Sequence, residues 1–312
     1  MNALSRVQRN IWLLAAIPTS MAMIQASPLW ALPAVCLAAV LYYIVCDAIP
    51  ADSGLAVCLP KWLLVLELCF LLLVIGKTAA RIEGCWQKGN AVLFALVLIT
   101  LASAASGQGT AAAGRVASGL GLVTLAIMVV VLAAAAPEVR PDSNVGSWME
   151  GFSIFSSATL PLCALFLPGA KLPKETKFWA GIFGSAILVL YCAVSGRGTI
   201  PLLYTIRGLA LFGFFRRFEA IAACLLTAGM FLILTLFFCS GREIAAELQG
   251  KGRLERIFYP ASIAAFFLDA YVPDVLIRYG APIFWGILPV LTLLIVPQKE
   301  PEKRFKKSEK RC

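Results

Sequence analysis

The sequence predicts an all-α integral membrane protein of about ten transmembrane helices. Three observations predict it. Hydrophobic residues make up 60% of the 312-residue chain and charged residues only 14%, more apolar surface than a soluble domain of this size can hide. The apolar residues fall in continuous runs of roughly the 20 residues that cross a bilayer as a helix, whereas a membrane β-barrel would alternate polar and apolar positions. Two of those runs, five spans apart, carry a central proline, the pattern an inverted five-plus-five repeat would leave (a LeuT-like or amino-acid permease fold).

In chain order the spans read at about 11–27, 29–49, 60–78, 90–106, 117–136, 148–168, 178–195, 218–240, 257–273 and 280–297. They form one polytopic membrane domain over 1–297, followed by a basic tail over 298–312. The first and ninth spans are short or interrupted by proline. Arg6 and Arg9 lead straight into the first span without a small-residue cleavage site, so no cleavable signal peptide is expected. The charged stretches at 171–177 and 241–256 read as ordinary loops, and no linker marks a second domain.

Loop charge sets the orientation. The tail "QKEPEKRFKKSEKRC" holds seven basic residues against three acidic ones and belongs on the cytoplasmic side, where it would lie on anionic lipid headgroups. An even number of spans puts the N-terminus there too. Basic residues then divide 18 inside to 9 outside. The external segment 196–217 goes against the trend with Arg197, Arg207, Arg216 and Arg217; its middle, "IPLLYTIRGLALFGFF", reads as an interfacial helix or re-entrant element.

The two proline-bearing spans are built alike. Span one, "IWLLAAIPTSMAMIQASP", has Pro18, Thr19 and Ser20 at its centre and Gln25 near its end. Span six, "WMEGFSIFSSATLPLCALFLP", has Ser153, Ser156, Ser157 and Thr159 ahead of Pro161. A proline removes a backbone donor and clashes with the preceding turn. The carbonyls it frees must face protein or water rather than lipid. Two unrelated kinks, or a matched pair of helix breaks with a ligand between them, both fit this pattern. The hydroxyls and Gln25 either bind a ligand's carboxylate or ammonium or bond back to helix carbonyls.

Acidic residues inside spans are few. Glu67 lies mid-span in "WLLVLELCFLLLV", where an ionised carboxylate is expensive unless paired or facing water, which makes it a possible coupling acid. Glu150 suits the N-terminal end of span six, and Asp269 reads as interfacial. Arg217 and Glu219, at the start of span eight, point to different sides of a helix and need separate partners.

The stretch "FFRRFEAIAACLLTAGMFLILTLFF" (Phe214 to Phe238), with its core Arg217-Phe218-Glu219-Ala220, resembles the eighth span of the bacterial spore germination permease family, the B subunits of nutrient germinant receptors. "GQGTAAAGRVASGLGLVTLAIMVVVLAAAAPEVRPDS" is similar to that family's fourth-to-fifth span junction, and "ALFLPGAKLPKETKFWAGIFGSAILVLYCAVSGRGTIPLLYTIRG" follows in the same order. The resemblance runs from about residue 60 in span order, and residues 214–238 carry its specific part. It implies the amino acid–polyamine–organocation transporter fold. It also implies sensing of a small nutrient, such as an amino acid, in the bacterial cytoplasmic membrane that becomes the spore's inner membrane, alongside A-type and lipoprotein C-type partner subunits. The chain departs from the family in carrying Met21-Ala22-Met23 where glycines are usual, and in having no acid beside Pro161.

Other chemistries find little support. With no histidine in the chain, zinc-dependent intramembrane proteolysis, haem ligation by histidine and a histidine base are excluded. The ten cysteines are scattered, without a CxxC pair, and read as small apolar residues, so no cofactor or metal is expected. Gly76-Lys77-Thr78 lacks the glycine a phosphate-binding loop needs five residues earlier, where Leu71 stands. "GQGTAAAG" misses the dinucleotide spacing, and Gly114-xxx-Ser118 is a common pattern in so small-residue-rich a chain. Nothing indicates nucleic acid or an enzyme. The rivals are a secondary transporter of amino acids or other small solutes and, from another class, a membrane-embedded lipid-modifying enzyme, which would need acids and bases clustered at one interface.

Overall fold

The computed structural model describes residues 6–21, 28–48, 54–85, 90–135, 148–167, 218–249 and 253–295. The expected seventh span (178–195), the segment 196–217 and the tail lie outside these residues. Among the described residues all regular structure is helical: α1 (Arg6–Met21), α2 (Pro28–Ala48), α3 (Leu55–Cys58), α4 (Lys61–Cys85), α5 (Ala91–Gly107), α6 (Thr110–Ala135), α7 (Trp148–Thr159), α8 (Phe218–Gln249), α9 (Arg253–Phe267), α10 (Asp274–Pro282) and α11 (Leu288–Ile295). A 3-10 segment, Leu160–Phe166, continues α7; a short 3-10 turn, Asp269–Tyr271, follows α9; a π turn, Ile283–Ile287, joins α10 to α11.

Every expected span outside 178–195 overlaps one of these elements. Five stretches are long and apolar enough to cross a membrane: Lys61–Arg81, Thr110–Ile127, Trp148–Phe166, Cys224–Gln249 and Asp274–Thr292. Pro33–Val45 and Ala91–Gly107 are shorter apolar helices. An α-helix satisfies its own backbone, so a continuous apolar run can lie in lipid only in this form. The molecule is a helical membrane protein. Boundaries shift most at the end of span eight, where α8 runs on to Gln249, at the end of span three, where α4 runs to Cys85, and at the start of span five, where α6 begins at Thr110.

Local signals place the helix ends. Pro60 precedes α4, and its carbonyl accepts the N–H groups of Leu63 and Leu64, as suits the proline-favoured start of a helix. Between α5 and α6 the chain reverses through Gln108 and Gly109. Gly109 has φ +95°, a conformation glycine adopts without steric cost.

The 32-residue α8 is the centre of the packing, touching α1, α4, α5, α6, α9 and the 3-10 segment. The α7 rod packs on α1, α2 and α10, and every residue from Ile154 to Leu167 is buried. The outer helices keep apolar faces exposed: Leu122, Val123, Val129 and Val130 on α6, and Val275, Leu276, Ile283, Ile287 and Leu291 along α10 and α11. Such faces match lipid tails, which are as apolar as leucine. Glycine allows the closest backbone approaches. A Cβ at Gly54 would lie 2.7 Å from the Phe166 carbonyl oxygen, and one at Gly76 would lie 2.6 Å from that of Ala265.

Candidate functional site

The candidate site is built around the change of helix type in α7. Pro161 has no N–H. It leaves the Ser157 carbonyl without its i+4 partner, and the Ala158 carbonyl without the i+3 partner that a 3-10 turn would supply. Hydroxyls from two other helices fill the gap. Ser20 Oγ, on α1, donates to the Ser157 carbonyl at 2.8 Å, and the Tyr42 hydroxyl, on α2, donates to that of Ala158 at 3.0 Å. Further along, Ser240 Oγ, on α8, donates to the Cys163 carbonyl at 2.9 Å. The carbonyls are thus satisfied although the segment is sealed from solvent, as buried backbone must be.

Spans one and six therefore meet through a hydrogen bond between Ser20 and Ser157, 137 residues apart in sequence. Their local geometry differs. α1 stays α-helical through Pro18 to Met21, while α7 gives way to 3-10 geometry one residue before Pro161.

The predicted hydroxyls are distributed as follows. Thr19 Oγ1 donates to the Ala15 carbonyl at 2.7 Å, and its side chain closes on Gly229 of α8. Ser20, with one proton to give, shares it between Ser157 and the Ile17 carbonyl, also at 2.7 Å. Ser153 donates to the Met149 carbonyl at 2.9 Å and Thr159 to that of Ser156 at 2.7 Å. Ser156 reaches across to the Ile277 carbonyl of α10 at 3.2 Å. Ser157 is buried at the same junction. Each of these bonded hydroxyls spends its proton on backbone and keeps acceptor capacity. Gln25 and Arg217 lie outside the described residues, as does the side chain of Glu219.

A second polar feature lies beside the first. Glu67 is fully buried, and neither carboxyl oxygen has a hydrogen-bond partner among the described residues. The indole N–H of Trp285, in the π turn, is directed toward it but falls short of hydrogen-bond geometry and is itself unpartnered. Trp285 is held edge-on to Phe70, with ring centroids 5.1 Å apart, and lies 5.8 Å from Phe237. The carboxyl thus sits on the helix that packs against the π turn through Phe70, and Pro282 stands just before that turn.

Ion pairs pin the two ends of the bundle. At one end Lys77 Nζ lies 3.1 Å from both Asp269 and Asp274, tying α4 to the α9–α10 connection; Arg81 and Arg278 lie in the same electrostatic neighbourhood. At the other, Arg242 pairs with Glu255 at 3.0 Å and donates to the Ser103 carbonyl at 3.2 Å. Glu150 sits in the first turn of α7. Among the described residues no three His, Cys, Asp or Glu side chains are grouped to hold a metal.

Sequence reasoning singled out the serines, the prolines and Glu67. It missed Tyr42, Ser240 and Trp285, which complete the site. A weak signal existed for Trp285 alone, since "APIFWGIL" sets a proline and a glycine around it in a span. No protein-family model matches this chain, and no curated protein matches it.

Proposed function

We propose that this chain is the permease-like subunit of a membrane receptor for a small nutrient such as an amino acid. The nutrient binds where α1 meets α7. Binding is passed to partner subunits of the A-type membrane and C-type lipoprotein kinds, in the bacterial cytoplasmic membrane of the spore, with both termini cytoplasmic. The observation that carries this is the contact of Ser20 and Tyr42 with the freed carbonyls of Ser157 and Ala158. These four groups suit a zwitterion. An ammonium would donate to the two carbonyls and a carboxylate would accept from the two hydroxyls, each exchanging one set of hydrogen bonds for a charge-assisted one. The resemblance of residues 214–238 to germination permeases supports the receptor role.

The test is equilibrium binding of a panel of radiolabelled amino acids to the full chain in lipid nanodiscs. Saturable binding of at least one is expected, weakened about 10-fold or more in Ser20→Ala and in Tyr42→Phe, since a hydrogen bond to a charged group contributes about 1.5–3 kcal/mol. No binding across the panel, or binding that ignores both substitutions, overturns the assignment.

A second function is favoured by Glu67, whose buried carboxyl suits ion coupling in a secondary transporter of amino acids or other small solutes. Uptake into proteoliposomes separates the two. Accumulation of the bound amino acid marks a transporter; binding without accumulation marks a receptor subunit, as would flanking genes for an A subunit and a lipoprotein.

A further inference from the structure

The Glu67 carboxyl is the one acid among the described residues with both oxygens sealed and unbonded. What surrounds it decides what it can bind. A dehydrated metal cation needs several oxygen ligands. Beside Glu67 stands the unpartnered indole N–H of Trp285, whose ring packs on Phe70, one turn along α4. An N–H dipole repels a metal cation, and one neutral donor does not pair a carboxylate. In the membrane interior an unpaired charge is expensive, so the carboxyl is cheapest when it holds a proton of its own.

We propose that Glu67 is a proton-binding site in the membrane interior, whose occupancy is felt by the π turn at Trp285. The step is a simple transfer: the carboxylic O–H breaks, the electron pair stays on the carboxylate, and the proton passes to solvent. The nearer exit is the end where α4 begins. Glu67 is six residues from Lys61, about 9 Å at 1.5 Å per residue, and fourteen from Arg81, about 21 Å. Ionisation leaves the carboxylate short of donors, so the π turn that carries Trp285 must shift when the proton leaves.

Other charged and titratable groups are poorly placed to compensate. On α8, Cys239 is buried next to Cys163, with Arg242 and Glu243 a turn further on; Arg242 is committed to Glu255 of α9. α5 carries no titratable residue. Lys77, Asp269 and Asp274 pair with one another, with Lys77 ten residues from Glu67, about 15 Å. The proposal rests on the helical membrane fold and is independent of amino-acid binding.

The test uses the ligand-free full chain reconstituted in liposomes, followed by infrared difference spectroscopy between acidic and alkaline buffers. The expected result is a high-frequency carbonyl band, the mark of a carboxyl without strong hydrogen bonds, that grows as pH falls. It should vanish in Glu67→Gln and move in Trp285→Phe, which removes the indole N–H. Four results overturn the proposal: no pH-dependent band, a band that survives Glu67→Gln, a band that Trp285→Phe leaves unmoved, or a band that follows sodium at constant pH. Should Glu67→Gln fail to assemble, Trp285→Phe decides alone. Because no amino acid is present, loss of amino-acid binding elsewhere leaves this result standing, and the reverse.

Discussion

Spans one and six carry the same local instruction, a mid-helix proline next to serine and threonine, and the structure carries it out in two ways. α1 remains α-helical through Pro18. Its hydroxyls Thr19 and Ser20 bond to carbonyls three and four residues back, and one of them also serves α7. α7 changes to 3-10 geometry around Pro161 and draws its two missing donors from α1 and α2, with a further hydroxyl from α8 at Cys163. A proline dictates only that a donor is lost. Whether the helix continues or rewinds depends on which neighbours can replace that donor in a place without water. Span six can rewind because two neighbours supply hydroxyls at the carbonyls that Pro161 frees.

The largest perturbation of the 3-10 segment is expected at the wall behind it. Gly54 abuts the backbone of Phe166 and Leu167, which cannot swing aside as a side chain would. Gly54→Val should cost about 3 kcal/mol, the upper range for overpacking, measured by reversible denaturation in mixed detergent. Next comes removal of the borrowed donors. Ser20→Ala with Tyr42→Phe leaves two buried carbonyls bare, and a loss of about 2 kcal/mol is expected, tempered from the soluble-protein range because hydrogen bonds in membrane bundles contribute less.

A finer test asks whether the two prolines differ as described. Pro161→Ala returns an N–H able to serve Ser157, so Ser20→Ala should cost about 1 kcal/mol less in that background than alone; Pro18→Ala should show no such coupling in the same double-mutant cycle. Smallest are the end clamps. Asp269 is largely buried against Lys77, whereas Asp274 has 70% of its side chain exposed. Asp269→Asn should cost about 1 kcal/mol and Asp274→Asn less than about 0.5, as exposed ion pairs do.

Much of this was legible in the chain itself. The class of fold follows from the length and continuity of apolar runs, which are local properties. Pro161 and Glu67 stood out because each is costly in hydrocarbon and must have a structural remedy nearby. The remedies were not legible. Tyr42 sits among apolar neighbours in α2 with no local mark of a role, yet it serves a carbonyl 116 residues away. Ser240 lies 77 residues from the Cys163 carbonyl it serves.

Sequence alone establishes that the chain lives in a membrane as helices and which positions would be strained there. Hydrophobicity, proline and charge act on the residue that carries them, so these outcomes need no knowledge of neighbours. Tertiary packing decides at which proline the helix changes type, which hydroxyls repair the break, and that Glu67 stands beside an indole rather than a base. Those outcomes depend on donors brought in from distant parts of the chain, and no local pattern records which groups will meet.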